Sequence, residues 1–142
     1  MTAVVEDREP IIGLLKKCRL PNDDIGSLNL DHFILAKNEH QIVGVIGLEI
    51  CGPSGLIRSM AVEPQQRGKG IARALYLKLI GHAKELGIQN LYLLTNTAES
   101  FFKQQGFNKI ERGKLPNAIQ ATREFQSLCP ESAIAMFFGL GS

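Results

Sequence analysis

The residues best suited to chemistry lie between Val62 and Ala72, where Val62-Glu63-Pro64-Gln65-Gln66-Arg67-Gly68-Lys69-Gly70-Ile71-Ala72 joins an apolar run to an amphipathic one. Gly68 and Gly70 remove the side chains that would hold an anion away from the backbone. A helix opening at Gly70 would present N–H groups without helical acceptors and the positive end of a dipole, which suits a phosphate or pyrophosphate. Arg67 and Lys69 add charge in the same place. The same glycines would also serve a plain strand-to-helix turn that needs them only for its backbone angles. The segment lacks the Gly-Lys-Ser/Thr ending of a P-loop, and it lacks a full GxGxxG fingerprint with its downstream acid.

Glu49 is a lone carboxylate in the apolar run VGVIGLEIC, where an unpaired charge is expensive. A general base, a salt bridge or a solvated strand end would each explain it. Arg58 and Ser59 raise the same question. Arg58 could clamp a carboxylate of a substrate or pair with Glu49. The three cysteines, Cys18, Cys51 and Cys129, fall on separate elements with no CxxC pair, so buried thiols are expected rather than a metal cluster or a disulfide framework.

These residues need a scaffold, and the pattern supplies one. Val4 and Val5 read as a short strand. Asp7 then caps a helix that has Pro10 in its first turn and ends near Cys18 to Leu20. His32 to Lys37 and Gln41 to Cys51 read as strands joined at Asn38-Glu39, and Leu56 to Val62 as the next. A helix follows from about Gly70 to Leu86, with Ile71, Ala74, Leu75, Leu79 and Ala83 on one stripe and Gly87 closing it. Leu91 to Leu94, Phe107 to Ile110 and Ala133 to Phe138 are further strands. Ala98 to Gln105 and Pro116 to Ser127 have helical spacing.

Composition sets the outer limits. The 142 residues carry a net charge of +2 with no Lys/Arg cluster, which argues against a nucleic-acid partner. No apolar stretch is long enough to span a membrane, and the polar start lacks a secretory core. One domain over 1–142, in a reducing cytoplasm, is the expectation.

The loop resembles the acyl-CoA motif of the GNAT superfamily of N-acetyltransferases: an Arg or Gln, a Gly three residues on, then a Gly or Ala two further, here Arg67, Gly70 and Ala72. Ala98, Phe101, Phe102, Gly106 and Phe107 match the family's second signature at the usual separation. The resemblance implies an α/β (α+β) GNAT fold: a mixed, mostly antiparallel sheet of six to seven strands, helices on both faces, and a splay between two central parallel strands. It also implies acetyl-CoA as cosubstrate, no metal, and direct attack by an amine in a ternary complex.

By that resemblance, acetyl-CoA is bound by Met60, Ala61, Val62, Arg67, Gly68, Lys69, Gly70, Ile71, Ala72, Thr95, Asn96 and Phe102. The N–H of Ala61 or Val62 is the oxyanion donor. Phe102 stands where the family often has a Tyr as general acid, and a phenyl ring cannot donate a proton. Tyr76 and Tyr92 are expected in the core. Glu49 and Ser59 are the catalytic candidates, Arg58 and Arg123 the substrate contacts, and Pro116 to Ser127 a lid.

Ser59-x-Ala61-Val62, Leu93 to Ala98, Gly44 to Gly52 and Pro116 to Ala133 look like the arsenic-resistance N-acetyltransferase group, which implies a small amino-acid-like amine as acceptor. A monomer or homodimer is the expected assembly. The alternatives are an acetyltransferase acting on protein amines and a non-catalytic acyl-CoA-binding module.

Overall fold

A computed structural model describes residues 7–20, 22, 24, 30–39, 41–122, 125 and 133–140. The expected strand at Val4-Val5 lies outside the described residues, as do Arg123 and Cys129. The helices are α1 (Arg8–Lys17), α2 (Ile71–Glu85), α3 (Glu99–Gln104) and α4 (Asn117–Gln120). The strands are β1 (Phe33–Asn38), β2 (Gln41–Cys51), β3 (Ser54–Val62), β4 (Asn90–Thr95), β5 (Asn108–Ile110) and β6 (Ile134–Gly139). They form one six-stranded mixed sheet in the order β1-β2-β3-β4-β6-β5. β3 and β4 run parallel, whereas β1–β2, β4–β6 and β5–β6 are antiparallel. The parallel ladder stops at Ile57↔Leu93, although β3 continues to Val62.

The chain divides into two compact units, Met1–Leu48 with Ser59–His82, and Glu49–Arg58 with Ala83–Ser142. In the first, α1 buries Ile11, Leu14 and Leu15 at helical spacing against Phe33, Leu35, Val45 and Ala61. Successive strand residues face opposite sides, so Gly44 looks the other way from Val45. A Cβ at Gly44 would meet Leu75 Cδ1 at 2.9 Å and Ile71 Cγ2 at 3.0 Å, so α2 lies close against that second face. Helices on both faces are therefore present in this unit. Along α2 the buried positions are Leu75, Tyr76, Leu79 and Ala83, and the expected Ala74 is exposed.

In the second unit, Leu56, Tyr92, Leu94 and Ala135 pack with Cys51, Leu115, Ile119 and Ala133. Burial pushes the Tyr76 hydroxyl up to about 12 and raises Tyr92, consistent with core positions for both.

Two local expectations are corrected. Asp7 occupies the N-cap position of α1 but makes no side-chain cap bond; its carboxylate pairs with Lys37 Nζ at 3.2 Å. The helix expected over Pro116 to Ser127 is, among the described residues, the single turn of α4. Thr122 Oγ1 donates back to Ile119 O at 2.7 Å and accepts from Phe125 N at 3.2 Å. A threonine hydroxyl bonded to nearby backbone in this way competes with helix propagation.

Candidate functional site

β3 delivers the chain into the glycine loop through a backbone bond from Glu63 N to Val43 O, 2.8 Å, followed by a single 3-10 turn over Pro64–Gln66. Gly68 (φ +83°) and Gly70 (φ +80°) both adopt the left-handed region, with no atom within 4 Å of where a Cβ would stand. The angles alone therefore favour glycine here, since any other residue would be strained. The first helical bond closes from Ala74 N to Gly70 O at 3.0 Å. Ile71, Ala72 and Arg73 thus supply the first-turn N–H groups, which a helix leaves without helical acceptors.

That first turn holds no acid, and the cations Lys69 and Arg73 flank or occupy it. Cations at a helix N-terminus oppose the dipole by roughly 0.3–1 kcal/mol each, and an anion seated there would reverse the sign. A plain turn gives no reason for this charge pattern. Arg73 escaped the sequence reading, although an Arg without a nearby acid in a first turn is a signal visible in the sequence.

The two cations that were singled out are engaged with protein. Arg67 Nε donates to Val62 O at 3.2 Å and Arg67 Nη2 to Cys18 Sγ at 3.5 Å. Lys69 Nζ donates to Gln66 Oε1 at 3.0 Å. Upstream, Ser59 has φ +59°, a left-handed conformation costly for a non-glycine residue. Met60, Ala61 and Val62 complete β3 beyond it.

The other expected site residues belong to the second unit. Arg58 Nη1 donates to Glu49 Oε1 at 3.1 Å; the arginine side chain is wholly enclosed, and that of Glu49 is 27% exposed. The salt bridge expected as one explanation for this pair is present. Cys51 follows Glu49 by two residues on β2, and burial, with the Glu49 charge second, pushes its thiol up to about 11. That places the thiol far from nucleophilic chemistry at neutral pH.

Thr95 Oγ1 accepts from Thr97 N at 3.2 Å and Ala98 N at 2.9 Å, capping the approach to α3, while Asn96 is exposed. The Phe102 ring is 3% exposed and sits edge-on to Phe101 and Phe107, with Phe138 stacked on Phe107. Arg112 donates to Ala133 O at 3.1 Å and lies 4.9 Å above the Phe125 ring.

Residues 29–109 match the family model for the acetyltransferase (GNAT) domain, more than half of the chain. The chain belongs to the GNAT acetyltransferase family. Among curated relatives, this GNAT domain is 40% identical over 57 residues to the amino-acid acetyltransferase of Mycobacterium tuberculosis, covering 40% of this chain and 32% of that one. It is 26% identical over 99 residues to the amino-acid acetyltransferase of Photorhabdus laumondii, covering 68% of this chain and 22% of that one. The chain therefore spans no more than about a third of these relatives' length. The GNAT fold also superposes on N-acetylglutamate synthase from Neisseria gonorrhoeae, solved with coenzyme A and N-acetyl-glutamate, with a TM-score of 0.85 at 19% identity over 100% of this chain and 35% of that one.

Proposed function

We propose that this GNAT domain is an N-acetyltransferase that moves the acetyl group of acetyl-CoA to the primary amine of a small, amino-acid-like molecule, by direct attack in a ternary complex. The observation that carries this reading is the loop: two left-handed glycines open a helix whose first turn carries cations and no acid. The acceptor class rests on two curated relatives that are amino-acid acetyltransferases, and on the shared fold of a synthase solved with N-acetyl-glutamate.

In this reading the N–H groups from Gly68 to Ala72 and the Lys69 ammonium hold the pyrophosphate. The N–H of Ala61 or Val62 stabilises the oxyanion as the amine nitrogen attacks the acetyl carbon. Glu49 takes the amine proton through its exposed side. The C–S bond breaks, and the leaving thiolate takes a proton from water, since the Phe102 ring offers none. Arg58, enclosed and bound to Glu49, positions that carboxylate rather than meeting the substrate. Arg123 keeps the substrate-contact role that the resemblance assigned; an arsenic setting is proposed from the resemblance, and a cytoplasmic location from the scattered cysteines.

The test is thiol release from acetyl-CoA with glutamate, other amino acids, arsenic- or phosphorus-containing glutamate analogues and peptide amines. Release with an amino acid or analogue is expected, and Gly70→Glu should abolish acetyl-CoA binding. Turnover on peptide amines alone would establish a protein-amine enzyme instead. Intact acetyl-CoA binding with no turnover on any amine would leave a binding module.

A further inference from the structure

The end of α1 is fastened to the root of the glycine loop at two consecutive positions. Lys17 Nζ lies 3.0 Å from both carboxylate oxygens of Glu63. The next residue, Cys18, is the C-cap of α1; its thiol donates to Val62 O at 3.6 Å and accepts from Arg67 Nη2 at 3.5 Å. Arg67 Nε donates to the same Val62 carbonyl at 3.2 Å. Val62 O, Cys18 Sγ and the Arg67 guanidinium thus close a three-membered ring of hydrogen bonds around the point where β3 becomes the loop. The half-buried Cys18 is part of this bracket, not an inert thiol in the core.

The Nε and Nη2 groups form one of the two forks by which a guanidinium grips an anion, the Nη1–Nη2 end being the other. Here both prongs of the Nε–Nη2 fork are directed at protein. We infer that Arg67 and Cys18 are positioning residues of the acyl-CoA loop, with Arg67 bracing the loop through Val62 and Cys18 instead of binding the pyrophosphate. The anion is then held by the backbone N–H groups from Gly68 to Ala72 and by Lys69. Holding the loop root in place before the ligand arrives removes part of the ordering cost of binding. The inference rests on the acyl-CoA reading above and adds Cys18 to it.

The experiment measures the acetyl-CoA dissociation constant of the full chain by calorimetry at several salt concentrations. A positioning Arg67 predicts that Arg67→Ala and Arg67→Lys weaken binding alike, by roughly three- to tenfold, since Lys keeps the charge but cannot bridge both partners. Cys18→Ala should weaken binding in the same direction, Cys18→Ser should restore it, and Cys18→Ala should add little to Arg67→Ala. The salt dependence should be unchanged in Arg67→Ala and shallower in Lys69→Ala.

Wild-type binding by Arg67→Lys and Cys18→Ala, or a shallower salt dependence in Arg67→Ala, would overturn the inference and make Arg67 a phosphate ligand. Failure of the acyl-CoA reading looks different: the unmodified chain would show no acetyl-CoA binding at all.

Discussion

Glu49 Oε1 on β2 accepts a 3.1 Å hydrogen bond from Arg58 Nη1 on β3, and the arginine side chain is wholly enclosed while the glutamate keeps a face toward solvent. On the proposed reading the two divide the labour: the buried cation would fix the carboxylate, whose open side would meet the substrate amine. Glu49→Gln removes the negative charge that lies 3.1 Å from the enclosed guanidinium. A cost of about 1–3 kcal/mol is expected, below the full penalty for a buried pair because Glu49 is partly solvated. Glu49→Asp, which keeps the charge, should lose less in urea denaturation. Glu49→Gln should also lower kcat and shift its pH profile; unchanged kinetics would reject Glu49 as the base.

Gly44 governs how closely α2 approaches the sheet. An added Cβ would stand 2.9 Å from Leu75 Cδ1 and 3.0 Å from Ile71 Cγ2, and Ile71 belongs to the first turn beyond the glycine loop. Leu75 Cδ1 is the end of a flexible side chain and Ile71 must give by only a few tenths of an ångström, so Gly44→Ala is expected to cost about 1 kcal/mol, the low end of overpacking. It should also weaken acetyl-CoA binding, because the displaced residue carries a loop N–H. Wild-type stability together with wild-type affinity in this variant would show that α2 yields without moving its N-terminus.

Cys51 gives the protein an alkaline limit. Its thiol ionises near the ordinary 9.0 when the chain is unfolded and only near about 11 when folded, chiefly through burial. A raised folded value means that the stability is fully present below pH 9 and is lost as pH rises through the window from 9 to 11. The loss is about 1.4 kcal/mol per pH unit inside that window. Tyr76 and Tyr92 act in the same direction, so the difference between wild type and Cys51→Ala isolates the thiol. That difference should shift against the wild type between about pH 8 and about pH 10.5 in urea midpoints; a constant difference would refute the account.

Much of the fold is legible in the order of residues because its signals are local. The apolar run of β2, the glycines closing α2 and α3, and the loop between β3 and α2 all depend on neighbours a few positions away. Thr122 shows how local reading fails: the helical spacing after Pro116 is genuine, yet a hydroxyl three residues from Ile119 O takes the backbone bonds for itself. Ser59 marks a second failure, since a serine in a strand-forming run gives no sign that its φ is +59°.

The strand-loop-helix with Gly68 and Gly70 and the second signature around Phe102, and hence a GNAT domain, are written in the order of residues, because these are contiguous patterns set by backbone conformation. Tertiary structure alone decided which partner each charge takes. Asp7 turned from its helix to Lys37, Glu49 proved to pair with the enclosed Arg58, and Arg67 reached across 49 positions to Cys18. Spacing cannot foretell such choices. The free energy of a charge depends on what lies within a few ångströms once the chain has folded and water has been displaced.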